Sequence, residues 1–440
     1  MKAAQTVPVV FINRFPQMAK GVSKKSGKSQ ESVSRTKKVE NVAPVTSHGS
    51  GYVLFLVIGV LLVIGLGVAA YVILFVWKPH EKFWKPHLDF EKLITAVVIY
   101  RHGTHYPVQV VNKSVFDSEV GYLTKMRKTE SFKTGIFLRN RYVNTGFLRQ
   151  KLLPPQLYFR SSSTNPSLTS AAIVGSGMYS DEHTFIAVPV YSQLRGDREL
   201  GLNLDCKHLK SRFVDKCGES NFDILSAPDD VIGDGVKCAK INEKHHSPLG
   251  KDNPFNHLYG YISLGENELH DRIPAGGNSK NMSTFREIYR DALSFLVGAG
   301  DYYDEKTLRL MQGSVMHLIH ETLSERWSEW KQKGYIRRRK FLLFSVEDWT
   351  LLSFSYALGV YRAMFPQYFS GRDTMIIIEL GETKTKDPAV RVLYKTHTMI
   401  NAIDITRSVN GCNDSPCRLE TFISCCNKHK TANPMQECKS

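Results

Sequence analysis

Arg101-His102-Gly103 closes the apolar run at 94–100, I-T-A-V-V-I-Y. The trio has the makings of a phosphoryl-transfer site. A neutral imidazole nitrogen can attack phosphorus, and guanidinium groups can hold the phosphoryl oxygens. A carboxylic acid can then protonate the leaving oxygen. Two further runs end in residues that fit these roles. The run at 156–159 leads into Arg160, a second candidate cation. The run at 341–344 leads into Ser345-Val346-Glu347-Asp348, which carries two candidate carboxylates.

All three runs are short, continuous and bounded by turn residues, and they read as buried strands. In α/β sheets ligands gather off the carboxyl ends of the strands, so the three ends are expected to meet. Helical spacing appears at 123–142, 283–297, 307–333 and 351–365, and 374–380 with 390–396 reads as a closing hairpin. The predicted fold is therefore α/β. It is a three-layer sandwich with a mostly parallel central sheet flanked by helices. A mainly helical inserted region at about 190–300 is rich in Asp, Asn, Gly and Pro.

The 440 residues carry a net charge of +16, and the first 52 hold nine Lys or Arg against two acids. Residues 1–51 read as a disordered basic tail. What remains is only mildly basic, which argues against nucleic acid as the main partner. Residues 53–77 contain no charged side chain and are long enough to span a bilayer once. The basic excess before the span predicts a cytosolic N-terminus, a single-pass type II orientation and a lumenal or extracellular C-terminal domain. Cell surface, Golgi and lysosome are not separated by this reasoning. Gly65 and Ala69 offer a weak packing face for a homodimer. A connector follows at 78–90, then an ectodomain at 91–426 and a C-terminal tail at 427–440.

All eight cysteines lie beyond the span, which suits disulfides in an oxidising compartment, with Cys412–Cys417 the best local pair. Asn112 and Asn281 begin glycosylation sequons on the same side. His317, His320 and Glu321 have metal-like spacing on one predicted helix, but no third ligand is evident and they read as a solvated face. There is no Gly-rich nucleotide loop, and no cofactor or metal is expected.

The ordered motifs resemble the histidine acid phosphatases of the lysosomal and prostatic type. The family's R-H-G-x-R-x-P is similar to Arg101-His102-Gly103-Thr104-His105-Tyr106-Pro107. Its L-R-x-R-Y matches Leu138 to Tyr142, and its R-S-T-D resembles Arg160-Ser161-Ser162-Ser163. Its S-A-H-D-T-T resembles Ser345-Val346-Glu347-Asp348-Trp349-Thr350, and its closing acid-bearing strand and G-C-x-x-x-C stretch look like Glu379-Leu380 and Gly411 to Phe422. The resemblance spans about 90–426. It implies that His102 is the phosphohistidine nucleophile, Asp348 the general acid, and Arg101 and Arg160 phosphate ligands. By the same analogy Cys206 pairs with a C-terminal cysteine. Two positions depart from the pattern. His105 stands where the family has its second phosphate-binding arginine, and Glu347 stands where it has its second histidine. Glu347 is expected to pair with Arg101 or Arg160 and shut the pocket. The functional expectation is a phosphate-monoesterase fold that is weak or inactive, binding a phosphate-bearing ligand if the pocket is open. The alternative is a pseudophosphatase acting as a binding or structural membrane protein.

Overall fold

The 94–100 run forms the centre of the molecule. The computed structural model describes residues 55, 58–63, 65–67, 90–103, 105, 122–181, 183–194, 200, 206–217, 239–241, 282–366 and 373–439. In it the run lies within β1 (Lys92–Arg101), buried from Ile94 onward. Apolar side chains on both faces explain this, since burying each of the larger ones is worth about 1.5–3 kcal/mol. Then come α1 (Lys125–Leu138), with a π-helical turn at Arg139–Val143, β2 (Leu157–Ser161), α2 (Asn165–Tyr179), β3 (Val190–Ser192), α3 (Lys207–Cys217), α4 (Met282–Val297) and α5 (Glu305–Lys333). The remainder is β4 (Phe341–Val346), α6 (Asp348–Leu358), α7 (Tyr361–Met364), β5 (Met375–Glu382), β6 (Pro388–Lys395), β7 (Ile403–Asp404), β8 (Cys417–Arg418), α8 (Leu419–Ser424) and α9 (Pro434–Lys439).

The sheet runs β3-β2-β4-β1-β5-β6-β7, with β8 beside β6. Strands β3, β2, β4 and β1 are parallel, while β5 and β6 form the expected antiparallel hairpin. Period-2 alternation splits the core between two faces. Val97, Ile99, Leu342 and Phe344 pack with α4, α5 and α6, whereas Val98, Tyr100, Leu343 and Phe159 pack with α1 and α2. The three-layer α/β sandwich is thus present. Helices α1 and α2 cross where neither can carry a side chain. A Cβ on Gly135 would lie 2.2 Å from the Val174 carbonyl, and one on Gly177 would lie 2.3 Å from that of Phe132.

Two motif segments that are far apart in sequence join inside the sheet. Buried Glu379 on β5 receives Arg141 through two bonds (2.6 and 2.8 Å), the Tyr142 hydroxyl at 2.7 Å and Arg391 of β6 at 2.9 Å. Burial pushes the carboxyl up, but the arginines outweigh it and hold it below the usual carboxylate range. The L-R-x-R-Y match is therefore a structural clasp.

Three boundaries differ from expectation. The helix expected at 351–365 is two helices. It starts at Asp348 because Glu347 is the extended N-cap (φ −82°, ψ 166°), and it breaks at Gly359, which is left-handed at φ 90°. Asp348 is therefore not the cap. The segment set apart as a C-terminal tail belongs to the folded body, since 434–439 forms α9 and Cys438 is bonded to Cys206. That bond and Cys412–Cys417 match the expected pairings, and Cys425–Cys426 adds a vicinal one.

The chain divides into two units, Met1–Pro79 and His80–Ser440. In the first, Phe55, 58–63 and 65–67 are helical and exposed. Among the described residues no helix is long and apolar enough to cross a membrane. The basic tail, nearly all of the connector, the two sequon asparagines Asn112 and Asn281, and most of the insertion lie outside the described residues.

Candidate active site

Register sets the geometry. Parallel β1 and β4 place Arg101 opposite Val346, so the next residues, His102 and Glu347, leave the sheet side by side. Strand β2 pairs with β4 through Ser161 and Ser345, and the Ser162 N–H continues the ladder to the Ser345 carbonyl at 3.0 Å. Three strand ends thus converge, as the sequence implied, and the start of α2, a helix the sequence reading did not place, joins them.

His102 is 2% exposed, and both ring nitrogens are engaged. Nδ1 lies 2.7 Å from the Gly103 carbonyl oxygen, which can only accept, so Nδ1 carries a proton. Nε2 faces Glu347 Oε2 at 3.2 Å. The other carboxylate oxygen, Oε1, receives the hydroxyls of Ser162 at 2.5 Å, Thr164 at 2.8 Å and Ser167 at 3.0 Å. Thr164 is the N-cap position of α2, so Glu347 sits at the positive end of that helix as well. Burial pushes the imidazole down, but the bond and charge of Glu347 outweigh it, and its pKa is raised. Burial pushes Glu347 up, and His102 with the hydroxyls drives it far below the carboxylate range. Both shifts favour the imidazolium–carboxylate pair.

This is a correction to the partner expected for Glu347. The carboxylate meets His102 and three hydroxyls. Arg101 is committed to Asp348, through Nε and through a second bond at 2.9 Å, and the Tyr289 hydroxyl adds a bond to Asp348 at 2.7 Å. Both Asp348 oxygens are thereby used, which is the arrangement of a charge partner rather than a proton donor. Arg160 leaves β2 on the same face as Tyr158 and donates to its hydroxyl at 2.8 Å. The His105 ring stands 5.8 Å from that of His102. Trp349 packs half-buried against the core beside this edge.

Gly103 is needed for close approach. A Cβ there would lie 2.9 Å from Arg127 Cβ and 3.2 Å from each oxygen of Asp373, a buried residue that also accepts the Tyr100 hydroxyl at 2.7 Å. Neither backbone-near Arg127 Cβ nor the clamped Asp373 can yield freely. Gly103→Ala is expected to cost about 1–3 kcal/mol in urea unfolding.

The His102–Glu347 pair also predicts a pH signature. The depressed Glu347 contributes stability above its unfolded pKa of about 4.3, which is lost as pH falls through the folded value. The raised His102 contributes below its unfolded pKa of about 6.5, and this is lost as pH rises through the folded value. The stability difference between wild type and Glu347→Gln should therefore be largest between about pH 4.5 and 6.5 and shrink on both sides. Thermal melts across pH 3–9 read it directly.

Other candidates do not join this centre. His317 pairs loosely with Glu321 at 3.9 Å. His320 is not on a solvated face. It is 1% exposed, packs edge-on to Phe422, and has no hydrogen-bond partner at either ring nitrogen among the described residues. Burial pushes its pKa down to about 4. The reading of a solvated face failed because α5 is buried on more than one side over its first half, so helical spacing alone could not place this residue. The residues that were missed are Thr164, Ser167 and Tyr289. Thr164 and Ser167 lie within the hydroxyl-rich run 161–167, a signal that could have been used, whereas Tyr289 reaches Asp348 from 59 residues away.

Comparison with known proteins agrees with this fold. The description "Histidine phosphatase superfamily (branch 2)" fits residues 92–225. Putative acid phosphatase 1 of Caenorhabditis briggsae is 28% identical over 370 residues, covering 80% of this chain and 83% of the relative. Human prostatic acid phosphatase is 24% identical, covering 77% and 86%. Among solved structures, the Klebsiella sp. ASR1 phytase aligns at TM-score 0.54 with 12% identity, covering 79% of this chain and 97% of that one. With strand-end His102 and these likenesses in place, the chain is similar to the histidine acid phosphatases in sequence and fold.

Proposed function

We propose that this chain is a membrane-anchored member of the family in which phosphomonoester hydrolysis is held off by its own Glu347. The observation that carries this reading is the contact of Glu347 Oε2 with His102 Nε2 at 3.2 Å. Transfer requires that nitrogen as an electron-pair donor. A nitrogen–phosphorus bond forms as the ester oxygen–phosphorus bond breaks, and the leaving oxygen takes a proton, from Asp348 in the family's scheme. Here Nε2 faces a carboxylate that favours its protonation, and the cradle that would receive phosphoryl oxygens already holds an anion. A second unit charge about 5 Å away is opposed by roughly 3 kcal/mol at an effective dielectric near 20. The Nδ1 bond to Gly103 keeps the ring oriented with Nε2 outward, and this favours slow residual turnover through His102 as a second reading.

The uncharged stretch 53–77 supports a single span with the 80–440 unit on the lumenal or outer side. The disulfides Cys206–Cys438 and Cys412–Cys417 fit that compartment, where Asn112 and Asn281 would be glycosylated.

The full chain in detergent should hydrolyse p-nitrophenyl phosphate between pH 4 and 6 at least about 10²-fold more slowly than prostatic acid phosphatase, the loss of one transition-state donor being worth that much. A rate equal to that enzyme's, abolished by His102→Ala, would overturn the reading. Millimolar vanadate should leave the melting temperature unchanged, because a ligand stabilises only a pocket it can enter.

A further inference from the structure

The strongest unabsorbed feature lies at the opposite edge of the sheet. Residues 326–340 read R-W-S-E-W-K-Q-K-G-Y-I-R-R-R-K, seven cations against one acid. They comprise the end of α5 and the loop that enters β4 at Phe341. Because Glu347 follows the carboxyl end of β4, this loop is at the end away from His102. A cavity of about 430 Å³ opens here, lined by Arg326, Glu329, Lys333, Tyr335 and Arg337 to Arg339.

Internal pairing uses up only part of this charge. Arg326 and Lys333 share Glu329. The Arg339 guanidinium lies 4.2 Å from the Tyr158 ring centroid, which holds it against the sheet. Arg337 and Arg338 are exposed, as are Lys331 and the Tyr335 ring, which is 57% exposed. The Arg339 N–H donates to the Pro155 carbonyl at 2.7 Å, and Lys340 Nζ to that of Phe147 at 3.0 Å. Those bonds bring the 147–155 loop, with exposed Arg149 and Lys151, to the same rim.

We infer that this rim is a binding site for a sulfated polysaccharide. Arginine forks match the oxyanions of sulfate groups, and a run of four basic residues beside a ring that can lie on a sugar suits a linear polyanion. The disulfides place the domain in an oxidising compartment. Sulfated glycans are polyanions of that side, whereas the strongly anionic lipid leaflet faces the cytosol. This inference does not depend on the state of the His102 site.

The test uses the full chain in detergent on immobilised heparin, at 0.15 M NaCl and then along a salt gradient. Wild type should be retained, and fully desulfated heparin should not compete. Arg337→Gln/Arg338→Gln should elute at clearly lower salt, with the slope of log affinity against log salt reduced by about 2, one for each lost ionic contact. Both side chains are exposed, so the melting temperature of this variant should match wild type. Changing Lys24, Lys25, Lys37 and Lys38 to Gln should leave retention through the rim in place. The inference fails if wild type flows through, if the double arginine variant elutes like wild type, or if the tail variant alone abolishes retention. It also fails if desulfated heparin competes equally, or if the rim binds phosphatidylserine vesicles and not heparin.

Discussion

Glu347→His is expected to raise kcat/KM for p-nitrophenyl phosphate at pH 5 by about 10²–10³-fold. Three changes act in the same direction. The substitution removes an anion from the place where the ester's charge must sit. It gives the three hydroxyls of Ser162, Thr164 and Ser167 back to an incoming oxyanion. It also deprives His102 of the partner that raises its pKa, so that more of the imidazole is neutral at mildly acidic pH. Glu347→Ala should gain less, about 10-fold, because it relieves repulsion without adding a donor. His102→Ala in the Glu347→His background should return the rate to baseline if the phosphohistidine route is the one restored. A Glu347→His protein that melts like wild type and shows no gain would end the reading that Glu347 holds the site off. The heparin experiment would stand unaffected by that outcome.

The second large effect concerns stability. Arg101→Met should destabilise the protein by about 3–5 kcal/mol, since it leaves the Asp348 carboxylate buried without its guanidinium. Asp348 is 5% exposed, and the Tyr289 hydroxyl remains as a donor but carries no charge. The double variant Arg101→Met/Asp348→Leu should recover most of the loss, because an apolar pair of similar volume often replaces a buried ion pair at little cost. Urea unfolding of the four proteins in this cycle measures the coupling. Additive losses would show that the two residues do not depend on one another. The cycle also bears on mechanism. If the coupling is strong, Asp348 cannot supply a proton without first breaking its pair with Arg101.

Much of the frame was legible in advance. β-branched residues at 94–100 and an apolar 341–344 stretch can hardly be anything but buried strands, and their polar ends had to fall at one sheet edge. The Cys412–Cys417 bridge followed from proximity in sequence. Helix 307–333 was visible in its spacing, but which of its residues are buried was not. His320 went astray because packing of α5 by the C-terminal segment, through contacts such as Gln312 to the His429 carbonyl at 2.8 Å, is long-range information.

The sequence by itself carried the resemblance to the histidine acid phosphatases, the strands that carry the site and, through that resemblance, the departures at His105 and Glu347. These are local properties, fixed by residue type and order. The tertiary structure decided where each charge goes. Whether Glu347 would take an arginine or the histidine depended on β1 and β4 being parallel neighbours in a register that releases His102 and Glu347 together. Whether Arg101 was free depended on Asp348, 247 residues away in the chain. In a buried site the partner of a charge is set by distances of a few ångströms, and only the packed sheet and helices supply them.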